Sequence, residues 1–470
     1  MSPSIPIVVL GAGPAGLGAA YQLARRGFDV TVVERAAQVG GNAGSFDVDG
    51  LRVDYGSHRL HPACSPEVFA DIRALLRDDL LERPRHGRIR LSGRWVHFPL
   101  TPLDLVRSLP LSFALGVLGD SVPRRARTND VNATFASVLE RGLGRTICRE
   151  FYFPYARKIW GVDPTELDAE QARKRVSAGS MRGMLRKVLN AVPGLKAPGA
   201  GRFFYPRQGY GQISEAYSAA AQNAGATVKL ATTVTGLHID SGRAVGVTVS
   251  NGSNGMLPVR QLFSTVPLPL LCRMATPSAP SDVVTAATQL RYRGMILVYL
   301  VLRSRQFTEF DAHYFPGSDI PITRLSEPKN YGLAVHDDMT VLCAELPCGI
   351  DEPVWSMTDE QLGDLVKDAL AAAGVPVKVP VVRVLTRKLA QAYPIYTRGY
   401  RDAFDRLDTW AASIEGLLTF GRQGLFAHDN THHALAMAYA AARCLSDDGV
   451  LDRERWAERR REFESHVVED

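Results

Sequence analysis

The chain has 470 residues, 46% of them hydrophobic and 22% charged, with a formal net charge of +6. That is the composition of an ordinary soluble globular protein, too long for one compact core, and it implies two or three domains. Only 9 of the 55 basic residues are lysine, so the positive charge is mostly arginine, dispersed and without a recognised nucleic-acid module; nucleic-acid binding is not expected.

The first predicted unit is strand, glycine turn, helix, strand, written IPIVVLG, AGPAGLGAAYQLARRG and FDVTVVER. The Val and Ile runs suit parallel strands buried on both faces. Gly11, Gly13 and Gly16 form GxGxxG between the first strand and the helix. The first allows the tight turn, the second lets the backbone approach a pyrophosphate, and the third lets helix and strand pack closely. The helix start offers free N–H groups to the anion. Glu34 ends the second strand, where a carboxylate accepts hydrogen bonds from ribose hydroxyls and repels a 2′-phosphate. These features together predict a bound dinucleotide, and NADP is disfavoured.

From about 66 to 195 the pattern is helical and Arg-rich, with proline breaks at 99, 102, 110 and 123. The run LPLSFALGVLG at 109–119 is too short to span a bilayer and is expected to be a buried helix. Near 203–237 a loop, an Ala-rich helix and short strands are predicted, followed by the strands AVGVTVS and QLFSTVP. Residues 291–385 look strand-rich, with a helix near 359–373. The chain then ends in strand, loop and helix, GLLTFGRQGLFAHDNTHHALAMAYAAARCL, and a charged helix or tail. Nucleotide-type signals at both ends imply a discontinuous domain. The six cysteines contain no CxxC pair, which fits a reducing, cytoplasmic setting, and the N-terminus enters a strand with no signal-peptide pattern.

The residues after Glu34 separate the two dinucleotides. Glu34-Arg35 followed by VGGNAGSF at 39–46 resembles the extended FAD signature of the amine oxidase and protoporphyrinogen oxidase superfamily. DYGSHRLH at 54–61 is similar to that family's flavin-side segment. FYFPYARKIWGVDPTELDAEQARKR at 151–175, GRIRLSGRWVHFPL at 87–100, YPRQGYGQISEA at 205–216, LRYRGMILVYL at 290–300 and TFGRQGLFAHDNTHHA at 419–434 resemble the branch containing UDP-galactopyranose mutases. The resemblance implies an α/β fold: a discontinuous Rossmann-like FAD-binding domain (1–80, 201–290 and 391–470 with the C-terminal helix), a helical substrate-domain insertion (81–200) and a mixed substrate-domain sheet (291–390).

Carried over by position, it assigns FAD contacts to Gly11, Gly13, Ala15, Gly16, Glu34, Arg35, Gly40 and Gly41. Gly56, Ser57 and His58 are expected beside the flavin, Val234 over adenine, Thr265 at the crossover, and Gly421 and Arg422 facing the flavin. The helix beginning near His433 is expected to point at the flavin's pyrimidine end. Tyr155, Trp160, Arg175, Tyr396 and Arg422 are the implied substrate contacts, with Lys174 as the alternative to Arg175. Arg324 is added with Arg291, Arg293 and Glu327 in a second tier. Aromatic faces with forked cations suit an anionic or nucleotide-linked small molecule.

The sequence departs from the family after its last GR. His428, Asp429, His432 and His433 stand in HDNTHH, where relatives carry Tyr, Asn and an acidic residue. They could supply a base, with His58, or could cap the helix through Asp429 or Thr431. Metal ligation is not expected, as no HExxH-type motif accompanies them. The leading expectation is an FAD-dependent oxidoreductase in which hydride passes from substrate to flavin N5. A redox-neutral pyranose–furanose mutase and a non-catalytic FAD-binding protein are the alternatives. Neither an integral membrane span nor a particular oligomeric state is implied.

Overall fold

The computed structural model describes residues 6–99, 107, 110–120, 132–175, 201–252, 254–332 and 338–468. A five-stranded parallel sheet lies at its centre, in the order Leu417–Thr419, Gln261–Ser264, Pro6–Leu10, Asp29–Val33, Thr227–Lys229. Its strands thus come from both ends and the middle of the chain, and Ile7, Val9, Val30 and Val32 have no solvent exposure. Helices cover one face, and the other is covered by a four-stranded sheet (Asn254–Pro258, Arg243–Ser250, Thr233–Asp240, Ala275–Thr276) together with helices Leu268–Arg273 and Tyr400–Ser413, so the parallel sheet is buried on both sides. Pro14–Ala24 packs on Thr431–Arg443, and Gly18 has no side chain where Leu435 and Ala438 press against it. The two helices, about 400 residues apart in sequence, meet as neighbours, which closes the nucleotide-type unit with the chain's last third.

A seven-stranded mixed sheet forms the second layer, in the order Val381–Ile395, Arg291–Leu302, Thr340–Cys348, Arg324–Ser326, Ala312–Tyr314, Gly87–Leu91, Arg94–Phe98. Its second strand, Arg291–Leu302, is buried over its last nine residues, so it reads as an unbroken apolar run. The stretch from 66 was expected to be helical. Its residues 80–98 are instead strands Leu80–Pro84, Gly87–Leu91 and Arg94–Phe98, two of which extend this sheet. The loop expected at 203 is also a strand, Arg202–Pro206, paired with Leu80–Pro84.

Leu111–Asp120 is a helix as expected, but not a buried one. Phe113 and Val117 pack inward while Leu115 is 61% exposed. Among the described residues no helix is long and apolar enough to cross a membrane. Residue 290 directly precedes strand Arg291–Leu302, whereas 390 falls inside strand Val381–Ile395 of the mixed sheet.

Candidate active site

The glycine turn is shaped by its contacts. A methyl group on Gly16 would land inside the van der Waals radius of the Gly11 carbonyl oxygen, and one on Gly11, whose φ is +95°, would collide with Thr265 Oγ1. Nothing lies within 4 Å of the position a Gly13 methyl would take, so this glycine faces open space. Pro14 opens the helix, where a missing N–H costs nothing. Gly40 donates its N–H to Ala12 O (2.8 Å), and Gly41 abuts Gly13, so the second glycine pair forms the other wall of the same cradle.

Glu34 braces that cradle, accepting from Ala12 N (2.8 Å) and Ala36 N (2.9 Å). Thr232 N–H reaches the Glu34 carbonyl (2.8 Å), which puts the strand carrying Val234 beside Glu34. Thr265 is tied to Leu10 O by its N–H (3.0 Å) and hydroxyl (2.7 Å). Gly421, at φ +77°, fits against Ala15 and Thr265. Arg35 is exposed beyond the strand. Strand, close glycine turn, open Gly13 and the N-terminus of helix Pro14–Ala24 thus meet at one corner of the parallel sheet.

The DYGSH segment hangs on Asp54. This buried carboxylate accepts from Ser45 Oγ (2.6 Å), Tyr205 OH (2.6 Å) and Tyr210 N (2.9 Å). Burial raises its pKa against the opposing pull of these hydrogen bonds. Glu345 holds the other end: its Oε1 accepts from Ser57 N (2.9 Å) and from Arg324 (2.8 and 3.0 Å). Arg324 thereby braces the Gly56–Ser57 backbone. His58 Nε2 lies 2.9 Å from the Tyr55 carbonyl and must donate to it, which leaves the lone pair on Nδ1. Its ring stacks on Tyr210, and burial pushes its pKa down despite the nearby Asp54.

An aromatic cavity of about 170 Å³ opens between the mixed sheet and the helices of residues 135–175. A π-helical turn, Cys148–Tyr152, interrupts the local helix and turns Phe151 and Tyr152 into it; Tyr155 and Trp160 follow from helix Phe153–Trp160. Phe98 and Tyr314 come from the mixed-sheet side, and Arg175 supplies the guanidinium in its wall. Trp160 is 4% exposed, and its indole N–H has no partner among the described residues. A larger polar groove of about 510 Å³, between helices Ser281–Gln289 and Tyr400–Ser413, shares no lining residue with this cavity.

Tyr393 joins the cavity to the GR turn. Its ring lies under Arg175 (5.3 Å) and Arg422 (5.2 Å) and stacks on His428 (6.5 Å). Arg422 donates to Ala392 O (2.7 Å) while its buried Nε has no partner among the described residues. Burial and then the neighbouring Arg175 pull its pKa down. Tyr396, three residues further and one past the strand's end, is not among the residues lining the cavity. It is 3% exposed, stacks on Tyr400 (4.2 Å) and donates to Phe426 O (2.9 Å). Tyr393 is the residue that sequence reasoning missed.

Lys174 also points away, its ammonium donating to Glu464 O (2.6 Å) and Phe463 O (3.3 Å). Of the second tier, Arg293 pairs with Glu352, Arg291 is exposed, and Glu327 clamps the 307–308 backbone.

The HDNTHH residues separate into different roles. Gln171 Oε1 accepts from Tyr396 N (3.1 Å), so its amide nitrogen donates to His428 Nε2 (2.9 Å). His428 therefore carries its proton on Nδ1, and burial followed by Arg175 and Arg422 keeps it neutral, far below its ordinary pKa. Asn430, rather than Asp429 or Thr431, is the N-cap of Thr431–Arg443, and His433 Nδ1 accepts its N–H (3.3 Å). Asp429 Oδ1 lies 3.3 Å from His433 Nδ1 and 3.1 Å from His466 Nδ1. Burial would raise the pKa of Asp429, but these imidazoles outweigh it and lower it. The three ligand-type atoms fall within 4.8 Å of one another. The His433 and His466 rings stack at 12° and 4.1 Å beside Asp429. His432 is 4% exposed, with its pKa pushed down to about 3 by burial and by His433.

Replacing Gln171 by leucine strands both His428 Nε2 and the Tyr396 N–H. Urea unfolding of Gln171→Leu is expected to show a loss of about 2–5 kcal/mol. A change under about 0.5 kcal/mol would mean that these groups find other partners.

A glycine turn at the strand ends of a parallel sheet is where open α/β folds hold nucleotides, and here a mixed sheet beside it adds an aromatic cavity. The family model for flavin-containing amine oxidoreductase matches residues 14–443, and the chain belongs to that family of flavin-dependent oxidoreductases. A mitochondrial protoporphyrinogen oxidase of Nicotiana tabacum is 28% identical over 171 residues, 34% of this chain and 34% of that protein. A phytoene desaturase of Fusarium fujikuroi is 25% identical over 274 residues, 53% of this chain and 47% of that protein. The chain thus spans a third to about half the length of these curated relatives. The crystal structure of a reduced UDP-galactopyranose mutase shares the fold, with a TM-score of 0.81 at 20% identity, covering 99% of this chain and 100% of that one.

Proposed function

We propose that the chain is an FAD-dependent oxidoreductase acting on a small anionic substrate with a flat or unsaturated body. The observation that carries this reading is Tyr393 set under two guanidiniums, one of which lines an aromatic cavity. Two cations and a ring wall suit an anionic head and an apolar body. Gly11, Gly13, Gly16, Gly40 and Gly41 would hold the pyrophosphate and Glu34 the ribose. Ser57, His58, Gly421 and Arg422 would border the ring system. Bound there, FAD would supply an acceptor for hydride from a substrate carbon.

The chain's own residues set the rest. Arg175 would orient the anionic group, and Phe151, Tyr155 and Trp160 would exclude water from the reacting carbon. His58, with its lone pair on Nδ1, would accept a proton; His432 is the second candidate. His428 serves instead as a fixed neutral contact, because Gln171 occupies its lone pair.

The purified protein should be yellow and release FAD on acid precipitation. Anaerobic addition of the true substrate should bleach the visible flavin band. Turnover only after prior reduction by dithionite, without net redox change, would instead favour the mutase reading. Arg175→Ala should raise substrate KM roughly 10- to 100-fold, the range for losing a charged hydrogen bond. Flavin content should be unchanged; an equal fall in flavin content would remove Arg175 from the substrate side.

A further inference from the structure

Helix Ala169–Arg175 carries Arg173, Lys174 and Arg175 in one turn, and the side chains of Lys174 and Arg175 diverge. Arg175 lines the aromatic cavity, whereas Lys174, only 8% exposed, turns into the protein. Lys174 is met there by the C-terminal segment in two ways. Its ammonium donates to the carbonyls of Phe463 and Glu464, and its own carbonyl accepts Val468 N–H (2.8 Å). That segment is itself pinned. Glu464 pairs with Arg401 (2.9 Å), His466 reaches Asp429, and the His466 ring stacks on His433 at the start of the last core helix. On its other side, the helix is held by Gln171 between His428 and the Tyr396 N–H.

We infer that Lys174 is a positioning residue: through the strap formed by residues 463–468 it fixes the backbone at position 174 so that the Arg175 guanidinium stays over Tyr393. Without the strap, Arg175 would lose its register with Arg422, and the two cations would no longer act on one ligand. The inference rests on the reading of Arg175 as an anion-binding residue and adds what holds it there.

The test is a double-mutant cycle on the full-length flavin-loaded protein, with inorganic pyrophosphate as the probe and calorimetric titration as the readout. Lys174→Met should weaken pyrophosphate binding roughly tenfold, and Arg175→Ala by at least as much. The double variant should bind no worse than Arg175→Ala alone, because Lys174 acts through Arg175. Lys174→Arg, which retains donors for the two carbonyls, should recover most of the affinity. Val468→Pro, which deletes the N–H given to the Lys174 carbonyl, should weaken binding in the same direction and serves if Lys174→Met does not fold. Unchanged affinity in Lys174→Met, or losses that multiply in the double variant, would overturn the inference. Wild-type affinity in Arg175→Ala, or no pyrophosphate binding by the wild type, would reject the anion reading itself and the inference with it.

Discussion

Gly16→Ala protein is expected to emerge colourless and less stable, whereas Gly13→Ala protein should emerge colourless but as stable as the flavin-free parent. The two glycines lie three residues apart and differ in what surrounds them. A methyl on Gly16 strikes the Gly11 carbonyl, which is backbone and cannot rotate aside. The helix Pro14–Ala24 would have to lift from the strand Pro6–Leu10, and overpacking of that kind costs about 1–3 kcal/mol. The same shift spoils the cradle, because Gly40 is bound to Ala12 O and moves with it. Flavin affinity should fall by at least 100-fold, as the free N–H groups at the helix start no longer meet the pyrophosphate. A Gly13 methyl meets no protein atom, so it harms only what approaches from outside. Flavin absorbance per chain and thermal unfolding of the flavin-free proteins are the measurements. If Gly13→Ala retains its flavin, the open space before Gly13 is not the pyrophosphate seat.

Those glycines were legible because their constraint is local: a turn, a close approach and a helix start leave their mark within six residues. The same holds for the apolar strand runs and for helix Asp359–Ala372, whose start carries a Thr358–Gln361 capping box. Strands Gly87–Leu91 and Arg94–Phe98 were harder. Their period of two is present, with Gly87, Ile89 and Leu91 buried, but arginines fill the alternate positions and hid it among Arg-rich helices. In the site, Tyr396 was named from motif position, with Lys174 as the alternative to Arg175; it is Arg175 that lines the cavity. Tyr396 lies just past the end of strand Val381–Ile395, whereas Tyr393, within it, sits under the guanidiniums. One step along a helix rotates the side chain by about 100°, which separates Lys174 from Arg175. His466 could not be read at all. Its contact with Asp429 spans 37 residues and depends on how the final helix lies. HDNTHH looked like one cluster, yet a capped helix start sends consecutive side chains to different partners.

That dispersal of histidines leads to the second large effect: the protein should lose stability steeply as pH falls below about 6.5, the ordinary imidazole value. His313 and His432 are held neutral by burial, each pushed down to about 3, and His428 is driven well below its ordinary value by burial and two guanidiniums. All three are 4% exposed or less. Below pH 6.5 the unfolded chain takes up protons at these positions and the native protein does not, so stability falls with falling pH. Each such group contributes a slope approaching about 1.4 kcal/mol per pH unit. At pH 5, three of them would remove about 6 kcal/mol, comparable to the whole stability of many domains. Asp54 and Glu327 have raised pKa values through burial and act in the opposite sense, since their protonation favours the native state as pH falls. Asp429, held low by His433 and His466, contributes stability above its ordinary value of 3.8 and loses it as pH falls through its lower native pKa, below the window of the histidines. Urea unfolding of the flavin-loaded protein at intervals from pH 8 to pH 5 should therefore show a plateau followed by a falling limb. The pKa of His58 is lowered by burial as well, so His432→Gln, whose amide takes up no proton, should reduce the slope of that limb by about one quarter. A flat profile would mean that these imidazoles are charged in the native protein. The neutral tautomer assigned to His428, and with it the role of Gln171, would then fail together.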